Sequence, residues 1–229
     1  MLFMDRKFRL PRIWSNNELK KFAPLFEGDI VNVSGWQDKD KEGDEYKNYF
    51  KNKKSYTITN YKTEAMGFQG TEGEIFLDLE KELPDELAGK FDVVFNHTVL
   101  EHIFEIEQAF KNLCLMSKDI VILVMPFLQQ MHTDYGDYWR MTPLAIEKLF
   151  IKNGYKLLYL SFNDQAGASV YTFSIASKQP EKWLEKIPLN VQQVSNVKTY
   201  DGYTNYAGSN AMGNVLYSIK LQIIKFLKK

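Results

Sequence analysis

Apolar and polar positions along the chain follow two periods, and the period identifies each element. Seven short runs rich in β-branched and aromatic residues read as strands: DIVNVS (29–34), SYTITNY (55–61), EIFLDL (74–79), FDVVFN (91–96), DIVILVMP (119–126), YKLLYLSF (155–162) and SVYTFSIASK (169–178). FDVVFN is a continuous apolar run, as expected of a parallel strand covered on both faces. Between the fourth and fifth runs, Val99, Ile103, Ile106, Phe110 and Leu113 recur at spacings of three and four, which makes one apolar helical face. Thr98-Val99-Leu100-Glu101 ahead of it reads as a capping box. A second helix is predicted from Thr142-Pro143, an N-cap with proline at the first helical position, to the C-cap pair Asn153-Gly154. Upstream of all strands, Ser15-Asn16-Asn17-Glu18 is another capping box and predicts a helix to about Gly28, bent or shortened by Pro24.

Strands alternate with helices until the last two, which a short polar linker separates. This order predicts an α/β sheet with mostly parallel strands and one antiparallel strand. The expected organisation is an N-terminal helical segment (1–28), an α/β domain (29–178) and a C-terminal extension (179–229). Ligands of such sheets bind at the carboxyl ends of the strands. The residues there are Gly35, Asn60, Asp78 with Leu79, Asn96 with His97, and after the fifth strand the long polar stretch FLQQMHTDYGDYWRMTP. The chain has no GxGxxG and no P-loop, which counts against other nucleotide-binding α/β enzymes.

Composition narrows the partners. The chain has 229 residues, 45% hydrophobic and 25% charged, and its 29 basic and 29 acidic residues cancel. That balance argues against a nucleic-acid protein held by phosphate neutralisation. The single cysteine, Cys114, builds neither an internal disulfide nor a thiolate zinc site and reads as inert core. With no signal-peptide run and no membrane span, the expected setting is cytoplasmic. Asp38, Asp40, Glu42 and Gly43 imitate the start of a calcium loop, but Tyr49 stands where the bidentate glutamate is needed. His97 and His102 are five apart rather than the four that aligns two ligands on a helix, and no metal is expected.

The segments GEIFLDLEKELPDELAGKFDVVFNHTVLEHI, VMPFLQQMHTDYGDYWRMTP and LFIKNGYKLLYLS together resemble the class I S-adenosylmethionine-dependent methyltransferases, over about residues 28–178. The nearest branch is the small, metal-independent one associated with surface-glycan and small-molecule biosynthesis. The resemblance implies a Rossmann-like sheet of seven strands, the last antiparallel, with helices on both faces. It implies S-adenosylmethionine as cofactor, contacted by Gly35, Trp36, Asn60, Asp78, Leu79, Asn96 and His97. Asp78 would accept from the adenine amino group and Leu79 would pack on the ring. Two departures stand out: the glycine-rich signature is reduced to Gly35 and a distant Gly43, and Asn60 replaces the usual acidic residue at the ribose.

Methyl transfer to a hydroxyl needs positioning and a proton acceptor near neutral pKa. His132 is the first choice for that base and His97 the second. Tyr135, Asp137, Tyr138 and Arg140 read as a substrate rim for a sugar-like acceptor; alternatively Trp139 and Tyr138 anchor the loop while Asp137 and Arg140 pair internally. The rival to an enzyme is a catalytically inactive methyltransferase-fold protein that serves as an assembly partner in glycan biosynthesis. In the tail, TYDGYTNYAGSN (199–210) reads as a lid or a surface loop. The basic amphipathic end, with Leu216, Ile219, Ile223 and Phe226 as its stripe, reads as a helix. It would pack on its own domain, form a homodimer or touch an anionic membrane surface.

Overall fold

The computed structural model describes residues 5–40, 42–62, 67–133, 136–163, 165–193, 206–209, 211–212, 223 and 226–227. Its strands are β1 (Glu27–Val33), β2 (Asn52–Asn60), β3 (Glu74–Phe76), β4 (Phe91–His97), β5 (Ser117–Leu128), β6 (Lys156–Phe162), β7 (Val170–Ser177) and β8 (Asn190–Val191). They form one sheet in the order β3-β2-β1-β4-β5-β7-β6-β8. β7 runs antiparallel to both β5 and β6, and the other pairings are parallel. The expected mixed sheet is present, with eight strands rather than seven; the added β8 is two residues long and pairs at the edge with β6.

Alternate side chains of the strands feed two cores. On one face Val31, Val33, Val94, Val121 and Leu123 pack under α2 (Ile106–Met116) and α3 (Pro143–Lys152). On the other face Ile30, Val93, Phe95, Ile122 and Phe173 pack against Leu19 and Phe22 of α1 (Arg9–Phe22) and against Tyr46, Tyr49 and Phe50. Cys114 is buried in the first core, and desolvation pushes its thiol up to about 12, so it stays protonated and inert.

Three helix starts test the capping logic. Thr142 caps α3 as expected, its hydroxyl accepting from the Ala145 N–H at 3.2 Å. Ser15 does not begin a helix: α1 starts at Arg9 and Ser15 is buried in its middle. The Ser15 hydroxyl instead donates to the Arg12 carbonyl and meets His97, while Glu18 accepts from the Tyr159 hydroxyl. Thr98 is also no cap. Its φ is +52°, and a 3-10 turn at Leu100–His102 precedes α2, which begins only at Ile106. Tertiary hydrogen bonds outweigh the local pattern in both cases.

Among its described residues the connection from β1 to β2 contains no α-helix. It holds one 3-10 turn, Tyr46–Asn48, among the described residues. The charged run folds inward. Asp38 is buried and accepts from Asn32 Nδ2, the Tyr56 hydroxyl and the Lys47 N–H. Asp40 is buried and accepts from the N–H groups of Glu42, Gly43 and Asp44 and from the Tyr49 hydroxyl. Both carboxylates act as internal acceptors that shape the loop, the opposite of a calcium-binding display. Most of the expected terminal helix and of the 199–210 loop lies outside the described residues; Ile223, Phe226 and Leu227, which are described, are helical and exposed. Tyr206–Ser209, which are described, sit against the end of β5: a Cβ on Gly208 would come 2.3 Å from Leu128. No described helix is long and apolar enough to cross a membrane.

Candidate functional site

The carboxyl ends of β1, β2, β4, β5 and β6 share one edge of the sheet, and the candidate residues collect there. After β1 the chain turns through left-handed Ser34 (φ +56°) and Trp36 (φ +47°). Gly35 lies between them, and a Cβ there would come 2.4 Å from Asn32 Nδ2, so the turn requires glycine. Asn60 clamps this turn. It accepts the Trp36 N–H at 2.8 Å and donates to the Trp36 carbonyl at 3.3 Å and to Glu74. Both ends of the Asn60 amide therefore hold protein groups. Glu74 is the carboxylate of this corner, and it also takes the N–H groups of Gln69 and Thr71.

Asp78 is half-buried just after β3, and its Oδ1 accepts the Glu80 N–H. Leu79 is 3% exposed and belongs to the core under α2, with its carbonyl held by Asn112. Its side chain is part of the core beside this edge.

On β4, Asn96 donates to the Val33 carbonyl at 3.0 Å, and its Oδ1 is buried without a partner. His97 is buried beside the Tyr46 ring. Because the Ser15 hydroxyl gives its proton to Arg12, His97 Nε2 donates to Ser15 Oγ at 2.9 Å. The His97 Nδ1 lone pair then faces the Thr98 hydroxyl at 3.2 Å. His97 is held between α1 and the start of the turn after β4, a placement that suits positioning rather than proton transfer. Arg12 of α1 reaches over the same edge and donates to Thr98 Oγ1 at 2.9 Å.

The loop after β5 is built on an ion pair. Arg140 donates to Asp137 through two nitrogens, at 2.5 and 2.7 Å, and also to the Gln129 and Gln130 carbonyls. Burial pushes the Asp137 carboxyl up, but the hydrogen bonds and charge of Arg140 and the His132 N–H outweigh it and hold it near 2. The ionised carboxylate faces His132 Nδ1 at 3.1 Å, which fixes the proton on Nδ1 and leaves the lone pair on Nε2. Asp137 and Arg140 thus form the internal pair, and Asp137 also orients His132. Trp139 anchors the loop by donating to the Ile103 carbonyl. Tyr138 is exposed, with its ring edge-on to Phe104 at 5.3 Å. Tyr135 lies outside the described residues.

Sequence reasoning missed Glu101, because it read as the last residue of a capping box. Glu101 is 1% exposed, burial pushes its carboxyl up to about 8, and its Oε2 has no hydrogen-bond partner. Two buried side-chain oxygens at this edge, Asn96 Oδ1 and Glu101 Oε2, have no partner, whereas Gln129 and Ser161 interact with the Tyr171 and Tyr159 hydroxyls. Buried polar groups are normally paired, so this edge carries hydrogen-bonding capacity that the chain itself does not use.

No family model and no curated protein matches the chain in sequence. Solved structures do match in shape. A protein assigned as a methyltransferase from Bacillus halodurans C-125 superposes with a TM-score of 0.51 at 12% identity, over 71% of this chain and 97% of that one. A protein assigned as an S-adenosylmethionine-dependent methyltransferase from Listeria monocytogenes gives 0.51 at 13% identity, over 74% and 99%. The trans-methyltransferase CalH, in complex with S-adenosylhomocysteine, gives 0.52 at 14% identity, over 72% and 57%. At these identities the likeness concerns architecture: the chain has the Rossmann-like fold found in S-adenosylmethionine-dependent methyltransferases.

Proposed function

We propose that this chain transfers a methyl group from S-adenosylmethionine to a hydroxyl of a small-molecule acceptor, a sugar or glycan precursor. The observation that carries the reading is the set of unpartnered buried polar atoms at the carboxyl edge of a methyltransferase-type sheet. The residues there fit the cofactor at two points. Asp78 offers a half-buried carboxylate oxygen to the adenine amino group, and Asn96 Oδ1 is a buried acceptor for the ammonium of the amino-acid end. The turn at Gly35 and Trp36 brings backbone, rather than side chain, toward the ribose. Asn60 supports that turn and leaves the ribose to it.

Bound there, S-adenosylmethionine supplies an electrophilic methyl group on a sulfonium. His132 then serves as base: Asp137 holds its Nδ1–H, and Nε2 accepts the acceptor proton. Tyr138 and Phe104 provide exposed ring faces beside these polar groups, a combination suited to a sugar. The single buried thiol fits a cytoplasmic setting. The alternative, an assembly partner without catalysis, is favoured by one observation: the clamp of Asn60 on Trp36 fills the position of the usual ribose ligand.

Calorimetric titration with S-adenosylhomocysteine tests the reading. Binding in the micromolar range that Asp78→Ala weakens at least tenfold supports the enzyme. No binding at millimolar ligand supports the assembly partner.

A further inference from the structure

Glu101, His102 and His132 come together from two segments, the turn after β4 and the loop after β5. One potential ligand atom from each lies within 4.8 Å of the others. Glu101 Oε1 and His102 Nε2 are 3.8 Å apart, and the two imidazole rings meet edge-on with centroids 5.1 Å apart.

Both histidines are pre-set as ligands. His102 Nδ1 lies 2.6 Å from the Gly136 carbonyl oxygen, which can only accept, so Nδ1 carries the proton and the lone pair is on Nε2, the atom facing Glu101. His132 Nδ1 is likewise bound to the Asp137 carboxylate, which Arg140 anchors in turn. Metal-binding histidines show this pattern, with the second nitrogen donating to a carbonyl or carboxylate that fixes the ring and its tautomer. Independently, Glu101 is a side chain 1% exposed whose Oε2 has no partner in the protein. A buried carboxyl beside two oriented imidazoles, with one oxygen unpartnered, calls for a ligand that the chain does not supply.

We propose that Glu101, His102 and His132 bind one divalent transition-metal ion at the acceptor side of the site. Two imidazoles and one carboxylate suit zinc or a similar ion better than the all-oxygen sites of calcium and magnesium. Bonds of about 2.0–2.2 Å would draw the ligand atoms to roughly 3–3.5 Å apart, a closure of up to about 1.3–1.8 Å from the present spacing. Three protein ligands leave a coordination position open. The sequence expectation of no metal is thereby revised: the pairing missed at the five-residue spacing of His97 and His102 is made by His102 and His132 across two segments.

The role of the ion, though not its binding, rests on the proposed methyl transfer. An acceptor hydroxyl in the open position becomes more acidic. Its O–H bond breaks with the proton passing to solvent, the O–CH3 bond forms as the sulfonium S–CH3 bond breaks, and S-adenosylhomocysteine leaves as a neutral thioether. With the ion bound, His132 is a ligand; without it, His132 is the base.

The test uses untagged full-length protein, stripped with chelator and titrated with Co2+, followed by Zn2+. The expected result is one Co2+ per chain with visible d–d absorption, displaced by Zn2+, and weakened at least tenfold in His132→Ala and in the isosteric Glu101→Gln. No Co2+ binding, or binding unchanged in these two variants, overturns the proposal. Circular dichroism confirms that each variant is folded, and Glu101→Gln carries the test if His132→Ala is not. The same samples are titrated with S-adenosylhomocysteine. Metal binding without nucleoside binding keeps the metal site and removes the methyltransferase role; nucleoside binding without metal does the reverse.

Discussion

Replacing Glu101 by glutamine should stabilise the metal-stripped protein, and by an amount that grows with pH. The carboxyl is fully buried, and desolvation moves it from 4.5 to about 8. A folded-state value above the unfolded one means that the native state keeps a proton the unfolded chain gives up. Stability therefore falls as pH rises between the two values. At about 1.4 kcal/mol per pH unit, the cost is roughly 3 kcal/mol at pH 7 and on the order of 5 kcal/mol above pH 8. Glutamine has the same shape and does not ionise, so Glu101→Gln lacks this slope. Its extra N–H group adds an offset that does not vary with pH. The assay is urea denaturation of both proteins at pH 5, 6, 7 and 8 in chelator. The variant should gain on the wild type by about 3 kcal/mol from the lowest to the highest pH. Parallel stability curves would refute the buried, neutral carboxyl. A gain in stability coupled to loss of metal binding is the signature of a residue kept for function.

Other predictions concern the loops. Asp38→Ala leaves the Asn32 and Tyr56 donors without their acceptor and should cost about 3 kcal/mol in urea denaturation; Asp38→Asn should cost less. Gly35→Ala sets a Cβ against buried Asn32 and should cost about 1–3 kcal/mol in urea denaturation, and the resulting shift of the Trp36 turn should lower cofactor affinity several-fold. Arg140→Lys loses the two-nitrogen grip on Asp137 and should cost about 2 kcal/mol, with faster amide exchange confined to residues 129–140. Phe173→Ala removes a ring buried against Phe22 and Tyr159 and should cost about 3–5 kcal/mol in urea denaturation.

The sheet was legible because burial on both faces leaves a continuous apolar signature. FDVVFN and DIVILVMP became β4 and β5 with only their ends extended. Helix starts were less legible. Ser15 and Thr98 carry the residue types of a capping box, but their hydroxyls are engaged by His97 and Arg12, partners far away in sequence. At the site, single residues after strands were placed at the edge by topology alone, as with Gly35, Asp78 and Asn96. What a side chain does there depends on neighbours that no local pattern names. Leu79 turned into the core, Asn60 was engaged by Trp36, and Glu101 and Arg12 came in from segments read as helix. The Asp137–Arg140 pair is the exception: its three-residue spacing lies within one loop, and the sequence already offered it as an internal pair.

The most direct measurement is the affinity of the full-length protein for S-adenosylhomocysteine, with Asp78→Ala and Asn96→Leu beside it. The expected result is one micromolar site per chain, weakened at least tenfold by either substitution. A wild-type protein that leaves the ligand unbound at millimolar concentration, or binds it as tightly after both substitutions, would contradict it.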